Sequence, residues 1–358
     1  MRLPKKSADG DAIDYAAAQQ IVDYAYAHGI NYFDTAYMYH GGDSELFIGE
    51  ALKKYPRESF YLASKFPVWM AETAADVEKI FNDQLKKCQV EYFDFYLCHS
   101  LGDANFKKII EFGVYDFLKK MKAEGKIRRL GFSFHDKPAV LQTIVDTYQW
   151  DFAQIQLNYL DWELQDAKGQ YEILHSAGIP VIVMEPVRGG YLANPGEAAE
   201  AKFKAAAPDA SVASWAIRYA ATLPGVMTVL SGMSNMAQIE DNVRTMTGFA
   251  PLSDAEQALV ADVVENCLKK EIVPCTGCRY CMDCPFGVDI PKMFSLYNGY
   301  VMSKNGERFL QNYDKTAEEE RLDKCQQCGA CMDQCPQHIQ IPDQLAAIGS
   351  VIDDLRRA

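Results

Sequence analysis

Ile30-Asn31-Tyr32-Phe33-Asp34-Thr35-Ala36 is a short β-branched and aromatic run that ends on polar residues, with helical period on both sides of it, at 16–28 and 44–54. The same alternation continues to about residue 250. Further runs stand at 60–66, 93–99, 127–134, 152–159, 180–186 and 227–232, with helical stretches at 76–87, 106–122 and 210–221 among them. Strand–helix alternation at this spacing implies parallel strands joined by crossover helices. It fits an open doubly wound sheet or a closed (β/α)8 barrel. No G-x-G-x-x-G follows any run, which weakens the dinucleotide-fold reading. Polar residues close nearly every run (Asp34, Lys65, His99, Ser133, Asn158, Glu185, Ser231), and in a barrel those ends converge on one mouth. The barrel is the expected fold. Seven runs leave it one strand short, and residues 5–11 read as loop. The expectation is a barrel open at one edge, or one whose first strand lies upstream of Met1.

Composition excludes several classes of protein. Over 358 residues, 49% apolar and 24% charged is ordinary globular usage and not that of a disordered polymer. The net charge of −13 argues against a nucleic-acid-coating surface. No apolar run approaches the ~18 residues of a membrane span, and no signal core follows Met1, so a cytoplasmic protein with no membrane partner is expected.

Eleven cysteines occur, and eight of them crowd into residues 275–335. The first motif is Cys275-x2-Cys278-x2-Cys281-x2-Cys284-Pro285, and the second is Cys325-x2-Cys328-x2-Cys331-x3-Cys335-Pro336. Each continues into Ile-Pro, at Ile290-Pro291 and Ile341-Pro342, so the module is an internal duplication. Zinc sites favour two separated C-x2-C pairs. Three cysteines at consecutive x2 spacing suit three corners of a [4Fe–4S] cluster instead, and the Cys before Pro commonly serves the other cluster. Two clusters are therefore expected, one held by Cys275, Cys278, Cys281 and Cys335, the other by Cys325, Cys328, Cys331 and Cys284. A zinc ribbon is the alternative. Helical period at 292–302 and 317–323 makes the module resemble the α-helical ferredoxins. Cys88, Cys98 and Cys267 read as plain thiols.

Asp34, Tyr39, Lys65 and His99 lie on or just after three consecutive runs. A lysine ending a buried strand is costly unless paired, and Asp34 is its natural partner. A lysine beside a phenol stabilises the phenolate and lowers a pKa that starts near ~10, which makes Tyr39 a usable general acid. His99 is positioned to bond the same substrate oxygen. His40, beside Tyr39, is a candidate for the pocket wall, and Trp69 for the mouth. On these residues, and on Gly42-x-Ser44-Glu45-x3-Gly49-x-Ala51-Leu52 after them, residues 17–245 resemble the aldo/keto reductases. With the cysteine module, the whole chain resembles the bacterial and archaeal aldo/keto reductases that carry a C-terminal 4Fe–4S ferredoxin domain.

The resemblance implies a TIM barrel over residues 1–265, a ferredoxin-type domain over 266–358, and Asp34, Tyr39, Lys65 and His99 as catalytic tetrad. It also implies hydride transfer between NAD(P)(H) and a small carbonyl or alcohol substrate. The implied coenzyme positions are Ser133 and Gln154 for the carboxamide, Met184 under the nicotinamide, and Pro186, Val187, Gly189 and Gly190 along the pyrophosphate. Ser231, Gly232, Ser234, Gln238 and Asn242 fall at the adenosine end. Phe134 replaces an asparagine of the family, Met184 an aromatic, and Gln238 an arginine that often meets the 2′-phosphate, so NADH and NADPH both stay open. The family usually opens with a hairpin and a first strand ending near a sequence like Met1-Arg2-Leu3-Pro4; the expectation is that this strand is missing from the chain. Three functions remain: a reductase whose clusters relay electrons to a partner protein, a reductase whose clusters only staple the module, and an electron-transfer or regulatory protein with a non-catalytic barrel.

Overall fold

The computed structural model describes residues 2–7, 12–268, 272–282, 284–303 and 305–357; part of the expected loop, at 8–11, lies outside them. The chain divides into two compact units, Met1–Pro186 with Ala216–Leu252, and Val187–Trp215 with Ser253–Ala358.

The first unit is built on one sheet of seven parallel strands in sequential order. They are β1 (Tyr32–Asp34), β2 (Tyr61–Phe66), β3 (Phe93–Leu101), β4 (Ile127–Phe134), β5 (Phe152–Gln156), β6 (Val181–Met184) and β7 (Val226–Val229). Each expected run overlaps one of them, though β3 continues two residues past its run and β7 begins one residue before its own. Local chemistry trims the ends. The first helix, Tyr15–Ala27, is capped at its start by Asp14, whose carboxylate accepts from the N–H groups of Ala16 and Ala17. At its far end Gly29 takes φ +85° and Ile30 N donates back to Ala25 O, so β1 starts only at Tyr32. β5 stops early because Asn158 Oδ1 accepts from Leu160 N and Asp161 N, which turns the chain. The helix expected at 106–122 is two, Asp103–Glu111 and Val114–Ala123, broken where Gly113 adopts φ +62°.

Apolar side chains pack on both faces of the sheet. Ala63, Leu97, Phe152 and Ile182 form a small cluster with Tyr32, Phe95 and Leu230 against it. A larger core joins strand residues such as Phe33, Phe93 and Phe132 to helix residues such as Phe47, Ile80, Phe81 and Leu118. Each such large side chain contributes about 1.5–3 kcal/mol of burial. Gly131 on β4 admits the Phe152 ring, because a Cβ there would stand 2.6 Å from a ring carbon.

Among the described residues, β1 pairs with β2 alone and β7 with β6 alone. The segment around Arg2 and Leu3 bonds to residues beyond both of these strands. Arg2 O accepts from Ser234 Oγ (2.7 Å), after β7, and Leu3 N donates to His40 Nε2 (3.1 Å), after β1. The Arg2 guanidinium pairs with Glu185 at 2.5 Å, and the buried Leu3 joins the core. The backbone then doubles back, with Asp14 N on Pro4 O and an antiparallel bridge between Lys5 and Ile13.

In the second unit, helix Glu197–Ala206 packs on helix Asp254–Val263, tied by Lys202 to Asp262, and Phe203 stacks on Trp215. Helices Ile290–Ser303, Gly306–Asp314 and Ile341–Arg357 enclose a separate core of Val288, Met293, Phe294, Phe309, Leu345 and Ile348. The helix expected at 317–323 is instead two single 3-10 turns, Glu318–Glu320 and Leu322–Lys324. Among the described residues no helix is long and apolar enough to cross a membrane.

Candidate functional site

The ends of β1, β2 and β3 bring the four expected catalytic residues together. Lys65, near the end of β2, has no exposed side-chain surface, and its Nζ donates to Asp34 Oδ1 (2.6 Å) at the end of β1 and to Thr35 O (2.8 Å). Burial lowers the Lys65 pKa, while Asp34 in contact and Glu45 farther off hold it up. Tyr39 lies in the turn after β1, its ring centroid 4.8 Å from Lys65 Nζ. His99 on β3 faces it edge-on at 5.9 Å, and Trp69 leans on His99 at 5.0 Å while donating Nε1–H to Met38 Sδ. Burial, and then the Lys65 charge, push His99 well below its ordinary range, so its imidazole is neutral at neutral pH. Trp69 thus walls this cluster as expected. His40 takes φ +54° and accepts from Leu3 N.

Behind β2 lies a polar network that sequence reading missed. Glu45 is fully buried; its Oε1 accepts from Ser64 Oγ (2.5 Å) and Gln84 Nε2 (2.6 Å). Gln84 also donates to Lys65 O (3.0 Å) and accepts from Tyr96 OH. The network fixes the peptide that carries Lys65. Burial raises the Glu45 pKa against its hydrogen bonds. The signal was faint, since Glu45 stood in the quoted motif but Gln84 sits in an ordinary amphipathic helix.

The expected coenzyme residues divide between the units. Ser133 on β4 accepts from Ser100 N (2.8 Å). Gln154 on β5 is almost completely buried; its amide nitrogen donates to Met184 Sδ (3.4 Å), and its Oε1 has no partner among the described residues. A buried amide oxygen left over in this way fits an amide donor such as a nicotinamide carboxamide. Asn242 donates to Ser231 Oγ (2.8 Å), Gln238 Oε1 accepts from Ser234 N (2.7 Å), and the Arg2 side chain lies against Gly232. Pro186 belongs to the first unit, and Val187, Gly189 and Gly190 to the second, where both glycines take positive φ.

The eight clustered cysteines line two cavities within the second unit. One is lined by Cys275, Cys278, Cys281 and Cys335 with Thr276, Phe294 and Ile341. The other is lined by Cys284, Cys325, Cys328 and Cys331 with Phe286, Val288 and Leu345. The last Cys of each motif therefore crosses to the other motif's cavity. The duplication extends to the backbone. Positive φ falls two and four residues after each first Cys, at Gly277 and Arg279 and at Gln327 and Gly329. It recurs three residues after each last Cys, at Gly287 and His338. Such a path turns N–H groups inward, and Gly277 N donates to Cys275 Sγ (3.4 Å). Among the described residues no three His, Cys, Asp or Glu side chains converge on a single-ion position. Four thiols around each cavity are a donor set that a [4Fe–4S] cluster takes. Burial pushes Cys275 up to about 11 and raises Cys281 and Cys331, so these thiols keep their protons until a metal draws out the thiolate. Cys88, Cys98 and Cys267 are buried.

The sequence model of the aldo/keto reductase family matches residues 1–265, and that of a 4Fe-4S dicluster domain matches residues 274–340. L-galactose dehydrogenase of Arabidopsis thaliana is 27% identical over 256 residues, 66% of this chain and 79% of that protein. The NADH-specific methylglyoxal reductase of Escherichia coli is 25% identical over 287 residues, 67% of this chain and 85% of that protein. Among solved structures, the holo form of an aldo-keto reductase from Bacillus halodurans superposes with a TM-score of 0.59 at 26% identity, covering 73% of this chain and 91% of that one.

Proposed function

The chain belongs to the aldo/keto reductase family and carries a C-terminal 4Fe-4S dicluster domain, and from that premise we propose that it reduces a small carbonyl compound, or oxidises the matching alcohol, with NAD(P)(H) in the barrel. The observation that carries this is the buried Lys65 ammonium, bonded to Asp34 and set beside the Tyr39 ring. The coenzyme supplies hydride. Tyr39 gives its phenolic proton to the carbonyl oxygen as negative charge develops there. Lys65 stabilises the phenolate left behind, and Asp34 keeps Lys65 charged despite burial. His99, neutral, orients the oxygen by a hydrogen bond. Gln154, whose Oε1 has no partner among the described residues, would hold the carboxamide, and Met184, bonded to its amide, would pack on the nicotinamide. Pro186, Val187, Gly189 and Gly190 are assigned to the pyrophosphate, and Ser231, Gly232, Ser234, Gln238 and Asn242 to the adenosine end.

In the same reading the catalytic domain is residues 1–265 and the cluster domain 266–358. Cys275, Cys278, Cys281 and Cys335 hold one [4Fe–4S] cluster, and Cys284, Cys325, Cys328 and Cys331 the other. The two four-cysteine cavities support this assignment. Such clusters supply one-electron chemistry and cross-link the segments that ligate them. Eight reduced cysteines suit a cytoplasmic location.

The test is Tyr39→Phe, assayed with methylglyoxal and with L-galactose as probes and with both coenzymes. Loss of turnover with coenzyme binding retained supports the reading. Full turnover in the variant overturns it.

A further inference from the structure

The two cysteine cavities share a backbone plan but differ in exposure. Around the cavity of Cys275, Cys278, Cys281 and Cys335, the residue after the first Cys, Thr276, is buried, as are Cys281 and Cys335. At the equivalent places of the other repeat, Gln326 is exposed and Cys331 and Cys284 are half-buried; Gln327 and Cys328, which match the half-buried Gly277 and Cys278, are exposed. On the opposite wall of that second cavity, Pro285, Phe286 and Gly287 are exposed too, Phe286 with 43% of its surface. Pro336 and Gln337, which match Pro285 and Phe286 in the duplication, are half-buried. Because the backbone is duplicated, local folding alone does not account for this contrast.

The cavity lining is also uncharged. Pro285, Phe286, Gln326 and Gly329 carry no ionisable group beside the ligating thiols, in a chain where 24% of residues are charged. The charged neighbours, Glu319 beside Gly287 and Lys324 before Cys325, stand outside it. Protein interface centres are depleted of charge in this way and favour an aromatic anchor such as Phe286. A small-molecule site would instead enclose its ligand. We propose that this face docks a soluble one-electron carrier protein, that the cavity of Cys284, Cys325, Cys328 and Cys331 is the port for exchange, and that the other cavity is internal. This rests on the two-cluster reading. The exchange moves one electron between the cluster at the port and the carrier's redox centre, and no bond or proton moves with it.

The test uses the full chain, loaded with iron and sulfide anaerobically and reduced with dithionite, with cytochrome c as a basic protein acceptor. Iron and sulfide analysis comes first: stoichiometric zinc, or only one cluster, overturns the two-cluster reading itself. With two clusters present, Gln327→Lys sets like charge against the acceptor at the port, and Gln337→Lys does the same at the inner cavity. Gln327→Lys is expected to slow cytochrome c reduction about fivefold or more at low salt, with the difference vanishing at high salt, and Gln337→Lys to leave the rate unchanged. Iron release to a chelator gives a second readout independent of the acceptor. Its fast phase should be lost in Cys328→Ser and kept in Cys278→Ser. An unchanged rate in Gln327→Lys, an equal or larger effect of Gln337→Lys, or a fast phase that survives Cys328→Ser overturns the proposal.

Discussion

Lys65 Nζ stands 2.6 Å from Asp34 Oδ1 with no side-chain surface of its own exposed, so the charge on β2 depends on the carboxylate of β1 for its place in the fold. Breaking a buried pair by removing one partner leaves an uncompensated charge. Asp34→Asn is expected to cost about 3–5 kcal/mol near neutral pH. Burial already lowers the Lys65 pKa, and loss of Asp34 lowers it further. The unfolded lysine titrates near ~10.4 and binds more protons than the folded one below that value, so stability rises with pH across the window. The defect in Asp34→Asn should therefore shrink as pH climbs from 7 toward 10, as followed by thermal unfolding. A defect that does not change with pH would remove Lys65 as its cause.

Glu45 gives the opposite dependence. Burial raises its folded pKa above the unfolded value of ~4.3. Both states are protonated below that value, and the cost of an ionised buried carboxylate is fully expressed only above the folded pKa. Wild-type stability relative to Glu45→Gln should thus fall as pH rises through this window. The glutamine still accepts from Ser64 and Gln84, so its melting temperature should gain on the wild type between pH 4.5 and 8. Equal curves at all pH values would mean that Glu45 does not titrate as proposed.

The two sites differ in how legible they were. Asp34, Tyr39, Lys65 and His99 stood out because each is polar where a short apolar run ends or just beyond, and strand ends converge. The cysteine cavities were legible from spacing alone. Glu45 and Gln84, 39 residues apart, meet only because the helices after β1 and β2 pack side by side. Nothing in either helix's period distinguishes a buried polar residue from an exposed one. The break at Gly113 was likewise hidden in a continuous helical pattern, since φ +62° is a property of the turn and not of hydrophobic spacing. The bonds from Arg2 and Leu3 to Ser234 and His40 had no sequence signal at all.

Gly131 tests the packing inside the sheet. An added Cβ would stand 2.5 Å from Phe152 O and 2.6 Å from the Phe152 ring. The backbone oxygen cannot retreat without opening the β4–β5 pairing between Gly131 and Phe152. Gly131→Ala is expected to destabilise by about 1–3 kcal/mol through overpacking, read as a lowered melting temperature. Adding Phe152→Leu should recover part of the loss, because the leucine side chain withdraws the ring edge. No recovery would assign the strain to the backbone contact alone.

The crossing of the last cysteines gives the sharpest test of the cluster module. Cys335 lines the cavity of Cys275, Cys278 and Cys281, and Cys284 lines that of Cys325, Cys328 and Cys331. If these cavities are the ligand sets, Cys335→Ser should remove the same cluster as Cys278→Ser, and Cys284→Ser the same cluster as Cys328→Ser. Each single variant then keeps about four irons, one cubane's worth. The double variant Cys278→Ser with Cys335→Ser should still keep about four, since both changes strike one site. Cys278→Ser with Cys284→Ser should keep almost none, although both residues belong to the first motif. Iron and acid-labile sulfide per chain, together with electron paramagnetic resonance of the reduced protein, separate the cases. The reverse outcome would mean that each motif ligates its own cluster: iron retained when Cys278 and Cys284 are both replaced, and lost when Cys278 and Cys335 are.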